Sequence, residues 1–141
     1  MSKTNIICAG TFSLLHKGHI ELFDEASKFG DVVVVLNTDE FVERYKGLKP
    51  IDSLYERATS IPLGYKSFTN IGCEDFKKTI EFIEEQGVKV DAIAHGTDWT
   101  GDSLLKQMGL TQEYLDEKHI SMIYIPRTTG ESSTRLRELM K

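Results

Sequence analysis
At 141 residues, with 40% hydrophobic and 28% charged side chains, the chain has the size and composition of one soluble globular domain, neither disordered nor membrane-embedded. A formal net charge of −5 argues against bulk attraction to nucleic acid or anionic lipid. No apolar run of about 18 residues exists and the start Met1-Ser2-Lys3-Thr4 lacks a signal-peptide core, so the expected location is the cytoplasm; Cys8 and Cys73, far apart, read as reduced thiols.

The first element is a strand over 5–9, apolar and β-branched as suits burial on both faces, and broken at Gly10. A helix from Gly18 to Gly30 follows, because Ile20, Phe23, Ala26 and Ser27 recur at helical spacing with charged residues between them. The run over 31–37 is the clearest strand. Helix patterns cover 39–45 and 53–60, a weaker strand covers 67–71, and a helix over 73–86 carries Phe76, Ile80 and Ile83 on one side with Gly87 as its stop. Strands over 91–95 and 121–125 bracket a helix over 111–118, and a last helix covers 133–140. Alternating βα units predict an α/β fold, a doubly wound parallel sheet of about five strands, Rossmann-like, flanked by helices on both faces. The expectation is a single domain spanning 1–141, without repeats or linkers.

Chemistry concentrates in Gly10-Thr11-Phe12-Ser13-Leu14-Leu15-His16-Lys17-Gly18-His19, where a strand passes into a helix. A helix start offers unpaired N–H groups and the positive end of a dipole, both suited to an anion, and Gly18 lets a ligand approach closely. His16 and His19 stand three apart and point the same way in the first turn. Zinc would need about three or four ligands, and neither cysteine has close-spaced companions, so metal ligation by this pair is disfavoured. In a doubly wound sheet, ligands sit beyond the carboxyl ends of the strands. The histidine pair follows the first strand, Thr38-Asp39 the second, Gly96 to Trp99 the fourth and Arg127 to Thr134 the fifth, so they are expected to converge on one edge.

Gly-Thr-Phe-x-Leu-Leu-His-x-Gly-His resembles the signature of the cytidylyltransferases within the HxGH nucleotidyltransferase superfamily, most of all the glycerol-3-phosphate cytidylyltransferase branch. Three further segments resemble that family's motifs in the same order: Tyr55-Glu56-Arg57, Gly96-Thr97-Asp98-Trp99, and Arg127-Thr128-Thr129-Gly130-Glu131-Ser132-Ser133-Thr134. The resemblance implies transfer of CMP from CTP to a small phosphorylated alcohol, with glycerol 3-phosphate leading, Mg2+ accompanying the triphosphate, and a homodimer. It implies His16, His19, Lys46 and Arg127 as catalytic residues. Gly10, Thr11, Phe12, Gly18, Gly96, Asp98, Trp99, Thr128, Gly130, Ser132, Ser133 and Thr134 would join the two histidines and Arg127 around the nucleotide, and Lys46, Lys49 and Arg57 would meet the acceptor. No resident metal site, nucleic acid or membrane is expected.

This inventory holds no base-activated nucleophile of the Ser-His or Cys-His kind. It suits a nucleophile that arrives ionised, such as a phosphate monoester attacking the α-phosphorus of a nucleoside triphosphate. Plainer readings stand beside these roles: Ser132 to Thr134 as a helix cap, Lys46 and Lys49 as a solvated loop, Asp98 as a cap, Trp99 as core, Arg57 in a surface ion pair, and His95 and His119 at the surface or a strand end. Ser13 stands where the family usually has Asp, which removes a carboxylate from the turn; Leu48, Thr97 and Glu131 also depart from the family pattern, residues 61–66 break a helix that the family continues, and 102–116 carry extra helix-like sequence. Two other functions stay open: an ATP-using adenylyltransferase acting on a flavin, heptose or pantetheine phosphate, and a catalytically silent nucleotide-binding module.

Overall fold
The computed structural model describes residues 4–15, 17–48, 51–62, 64–96 and 102–125. Five strands, β1 (Asn5–Gly10), β2 (Asp31–Leu36), β3 (Lys66–Thr69), β4 (Ala92–Gly96) and β5 (Ser121–Ile125), form one sheet in the order β3-β2-β1-β4-β5. Every pairing is parallel. The chain winds outward from β1 to β3, then returns to the other side of β1 with β4, so the switch point lies between β1 and β4.

Six helices link the described strands: α1 (Lys17–Ser27), α2 (Asp39–Lys46), α3 (Leu54–Ser60), α4 (Phe76–Glu85), α5 (Asp102–Met108) and α6 (Gln112–Lys118). Strand alternation sorts the core into two layers. Ile7, Val33, Val35 and Ile93 pack with Phe76, Ile80 and Ile83 of α4, Leu104 and Met108 of α5 and Leu115 of α6. Ile6, Cys8, Val32, Val34 and Ala94 face the opposite way, toward Phe23 and Ala26 of α1, with Leu54 and Ala58 of α3 packed against that layer. The doubly wound reading is therefore correct, and each fully buried Ile or Phe in these layers contributes about 1.5–3 kcal/mol of burial free energy.

Several boundaries shift for local reasons. The helix expected over 73–86 begins three residues later, at Phe76, because Gly72 to Asp75 close a turn in which Asp75 N–H donates to the Gly72 carbonyl. Strand β2 stops at Leu36, one residue earlier than expected, although the Asn37 N–H still donates to the Gly10 carbonyl at 2.9 Å. The extra helical sequence near 102–116 is two short helices, parted at Gly109, whose φ is +70°. Gly30 is needed for close approach: a Cβ there would stand 2.2 Å from the Thr4 carbonyl oxygen, which accepts the Asp31 N–H that starts β2. The helix expected over 133–140 lies outside the described residues.

Candidate active site
The turn after β1 is built from unusual backbone. Phe12 and Leu14, neither of them glycine, have φ of +52° and +50°, a left-handed conformation that costs about 1–2 kcal/mol per residue. Two devices hold it. The Phe12 ring folds back into the α1-side core, edge-on to Phe23 at 5.1 Å and to the His19 imidazole at 5.4 Å between centroids. From the other side, the Asp52 carboxylate accepts the Ser13 hydroxyl at 2.6 Å and the Leu14 N–H at 3.0 Å. The carboxylate expected to be missing, with serine at position 13, thus reaches the turn from the segment before α3.

Gly10 makes room for this arrangement, since a Cβ there would sit only 3.2 Å from the Phe12 ring. Phe12, expected at the nucleotide, is 6% exposed; its ring supports His19 from beneath. His19 itself lies in the first turn of α1 and is half-buried.

Arg57 corrects another expectation. Beside the acceptor role that the resemblance implies, the plainer expectation was a surface ion pair; the ion partner is there, in Asp39, but the arginine side chain is 0% exposed. The guanidinium donates to the carbonyls of Thr11 and Asn37, both at 2.8 Å, to Asp39 Oδ1 at 2.6 Å and to the Asp52 carbonyl at 3.3 Å. A planar fork of five donors suits this task, which one ammonium group could not perform. It joins the loop after β1 to the loop after β2. Helix α3 aims it there, opening with a capping box in which Ser53 and Glu56 exchange side-chain and backbone hydrogen bonds.

Beside the turn, on the α4–α5 side of the same sheet edge, lies a cavity of about 130 Å³. Gly10 and Thr11 belong both to its wall and to the turn. Polar groups reach it from Asn37, Asn70, Cys73, His95 and Gln107, and apolar wall comes from Phe41, Phe76 and Met108 among others. A hydrogen-bond ladder runs along one side: the Thr79 hydroxyl donates to Asn70 Oδ1, Asn70 Nδ2 to Asn37 Oδ1 at 3.0 Å, and Asn37 Nδ2 to Thr11 Oγ1 at 3.3 Å. Gly72 N–H anchors its far end on Thr79 Oγ1 at 2.9 Å. His95, next to last in β4, has Nδ1 3.1 Å from the Gly96 carbonyl.

Gly10, Thr11, Gly18, His19 and Gly96 thus occupy the carboxyl edge at the β1–β4 switch point; Cys8 pairs with Ala94, so Gly10 and Gly96 stand two residues further along adjacent strands. Lys46 closes α2, and its side chain lies outside the described set. Outside it altogether are His16, Lys49, Asp98, Trp99, Arg127, Thr128, Gly130, Ser132, Ser133 and Thr134. Asp52, Asn37, Asn70, Cys73 and Gln107 had no motif to announce them. The one available signal was position, since Asn37 and Asn70 each follow a strand. Cys8, read as plain core, is fully buried, and burial pushes its thiol up to about 12.

Fold and edge together define a Rossmann-like α/β domain with a cavity at the carboxyl edge beside the switch point between β1 and β4. A profile of the cytidylyltransferase-like family matches residues 7–139, and the chain belongs to that family. It is 31% identical over 138 residues to the glycerol-3-phosphate cytidylyltransferase of Bacillus spizizenii, a match covering 96% of this chain and 95% of that protein. It is 44% identical over 57 residues to the FAD synthase of Thermococcus sibiricus, covering 40% of this chain and 38% of that protein. A third relative is the bifunctional protein HldE of Campylobacter curvus, 33% identical over 129 residues, which cover 86% of this chain and 26% of that longer protein.

Proposed function
We propose that this protein is a cytoplasmic, homodimeric nucleotidyltransferase, a single domain that moves CMP from CTP to a small phosphorylated alcohol, with glycerol 3-phosphate first among acceptors. The observation that carries the reading is the shared wall: Gly10 and Thr11 belong both to the phosphate-suited turn that opens α1 and to the neighbouring cavity. A triphosphate at the helix start and an acceptor in the cavity would meet at that wall. The length-for-length match to a glycerol-3-phosphate cytidylyltransferase supports the choice of substrates.

In this reaction an acceptor phosphate oxygen, already anionic, attacks the α-phosphorus of CTP. The new P–O bond forms as the bond to the β-phosphate breaks, pyrophosphate leaves with the electron pair, and no proton need move. The protein's task is alignment and charge compensation. His16 and His19 would donate hydrogen bonds to the triphosphate as charge builds on it. Arg127, with Thr128, Gly130 and the hydroxyl and N–H groups of Ser132 to Thr134, would hold the remaining phosphates, while Gly96, Asp98 and Trp99 would line the nucleotide and Lys46 and Lys49 would reach the acceptor phosphate. Among the described residues no three His, Cys, Asp or Glu side chains cluster to cage a metal. Mg2+ would accompany the triphosphate, where it neutralises phosphate charge.

The test is pyrophosphate release by the full chain with CTP or ATP against glycerol 3-phosphate, a heptose phosphate and FMN. CTP with glycerol 3-phosphate should give the highest kcat/KM, and His19→Ala should lower turnover about 100- to 1000-fold with the fold intact. Turnover with ATP alone would favour the second reading, an adenylyltransferase, which the matches to FAD synthase and HldE motivate. CTP binding in a calorimeter without pyrophosphate release from any acceptor would mark a silent nucleotide-binding module. Light scattering at twice the chain mass would support the dimer.

A further inference from the structure
We infer that the cavity beside the turn takes the uncharged, hydroxyl-bearing body of the phosphorylated acceptor, and that the side-chain amide of Asn37, held in position by Asn70, selects it. The inference rests on the transferase reading above and adds to it the residues that discriminate among acceptors.

The ladder is built to hold one arrangement. Asn70 is only 4% exposed, and both ends of its amide are engaged, by Thr79 and by Asn37. The Asn37 amide is thereby oriented with its nitrogen toward Thr11. An amide nitrogen carries two hydrogens, and Asn37 Nδ2 gives one to Thr11 Oγ1, leaving the other for the cavity. Because Thr11 Oγ1 accepts that bond, its own proton is available to a phosphate oxygen at the shared wall. A bound polyol phosphate would thus meet an amide donor along its hydroxyls and a hydroxyl donor at its phosphate. Gln107 adds a second amide across the cavity, and Phe76 and Met108 cover the carbon skeleton.

An acceptor with a cationic body fits this chemistry poorly. The polar groups lining the cavity are neutral amides, a hydroxyl, a thiol and one imidazole, so an ammonium group would leave water without a carboxylate to receive it. The selection expected is for polyol phosphates over amino-alcohol phosphates.

Cys73 supplies a reporter that does not depend on turnover. It lines the cavity half-buried, whereas Cys8, the other cysteine, is sealed in the core with its thiol pushed up to about 12, so iodoacetamide near neutral pH reads Cys73. In the full chain, glycerol 3-phosphate at about ten times its dissociation constant should slow Cys73 alkylation about tenfold. O-phosphoethanolamine and inorganic phosphate should leave the rate unchanged. Asn37→Leu should abolish protection and raise KM for glycerol 3-phosphate about tenfold or more without moving KM for CTP, since a site built around hydrogen bonds suffers most when a partner is lost. Gln107→Leu, on a half-exposed helix position, should act in the same direction and serves if the first variant fails to fold. Equal protection by O-phosphoethanolamine or by inorganic phosphate, protection that survives both substitutions, or turnover of glycerol 3-phosphate without protection would each overturn the assignment. Protection without pyrophosphate release under any nucleotide would uphold the cavity's ligand and remove the transferase reading instead.

Discussion

Replacing Arg57 with leucine should damage stability far more than its place on a short surface-patterned helix suggests. The side chain is completely buried and holds four oxygens, those of Thr11, Asn37, Asp39 and Asp52. Leucine fills part of the volume but leaves the Thr11 and Asn37 carbonyls without that donor, at about 1–3 kcal/mol for each buried group left unsatisfied. Asp39 is 39% exposed and recovers water, so its lost ion pair adds less. The sum is a loss of about 3–5 kcal/mol, most of it from the two unsatisfied carbonyls. Urea unfolding followed by circular dichroism measures it, and for a domain of this size the melting temperature should fall by roughly 10–17 °C. Arg57→Lys should recover less than half, because one ammonium cannot span both loops. A leucine variant within about 1 kcal/mol of the parent would refute the reasoning, since Arg57 would then be dispensable to the two loops.

Asp52→Asn keeps the shape but turns one acceptor into a donor facing either Ser13 or Leu14; it should cost about 1.5–3 kcal/mol in urea unfolding. Gly30→Ala should destabilise by about 1–3 kcal/mol in the same assay, because the added methyl meets the backbone of Thr4 and cannot rotate away. Lys118 donates to Glu84 Oε1 at 2.6 Å, and that hydrogen bond holds its amine above the ordinary lysine value of 10.5. A raised folded-state value stabilises below the unfolded value and is lost as pH rises through the folded one. Lys118→Met should therefore cost less than about 1 kcal/mol near neutral pH, the pair being partly solvated, and the gap from the parent should narrow only above pH 10.5.

Legibility in the sequence followed the range of the forces involved. The run Asp31–Leu36 reads as a buried strand because its valines meet core on both faces, and α4 reads as a helix because Phe76, Ile80 and Ile83 repeat at its period. Strand β3 was weak in the sequence for an equally physical reason: it is an edge strand with little burial to impose a pattern. The expected gathering at the carboxyl edge was sound for Gly10, Thr11, His19 and Gly96, since order along the chain and the doubly wound rule suffice to place them. The braces were invisible. Ser13 and Asp52 are separated by 39 positions and Arg57 from Thr11 by 46, and no local periodicity encodes such pairings. Arg57 was misplaced because an arginine on an amphipathic helix normally faces water, and only the completed loops reveal carbonyls that need it. The cavity's amides went unnoticed for the same reason: asparagine after a strand commonly serves a turn.

The sheet has two outer strands, and one of them bears on how the molecule behaves in a crowded solution. Strand β3 is four residues long, begins with Lys66, and shows three of its four side chains to solvent. A foreign strand seeking to extend the sheet there would find few free amides and a positive charge at the approach, the features by which natural sheets discourage unwanted self-association. Lengthening that margin with β-branched residues, or neutralising its lysine, should favour fibre-like aggregates before it perturbs anything at the carboxyl ends of the strands.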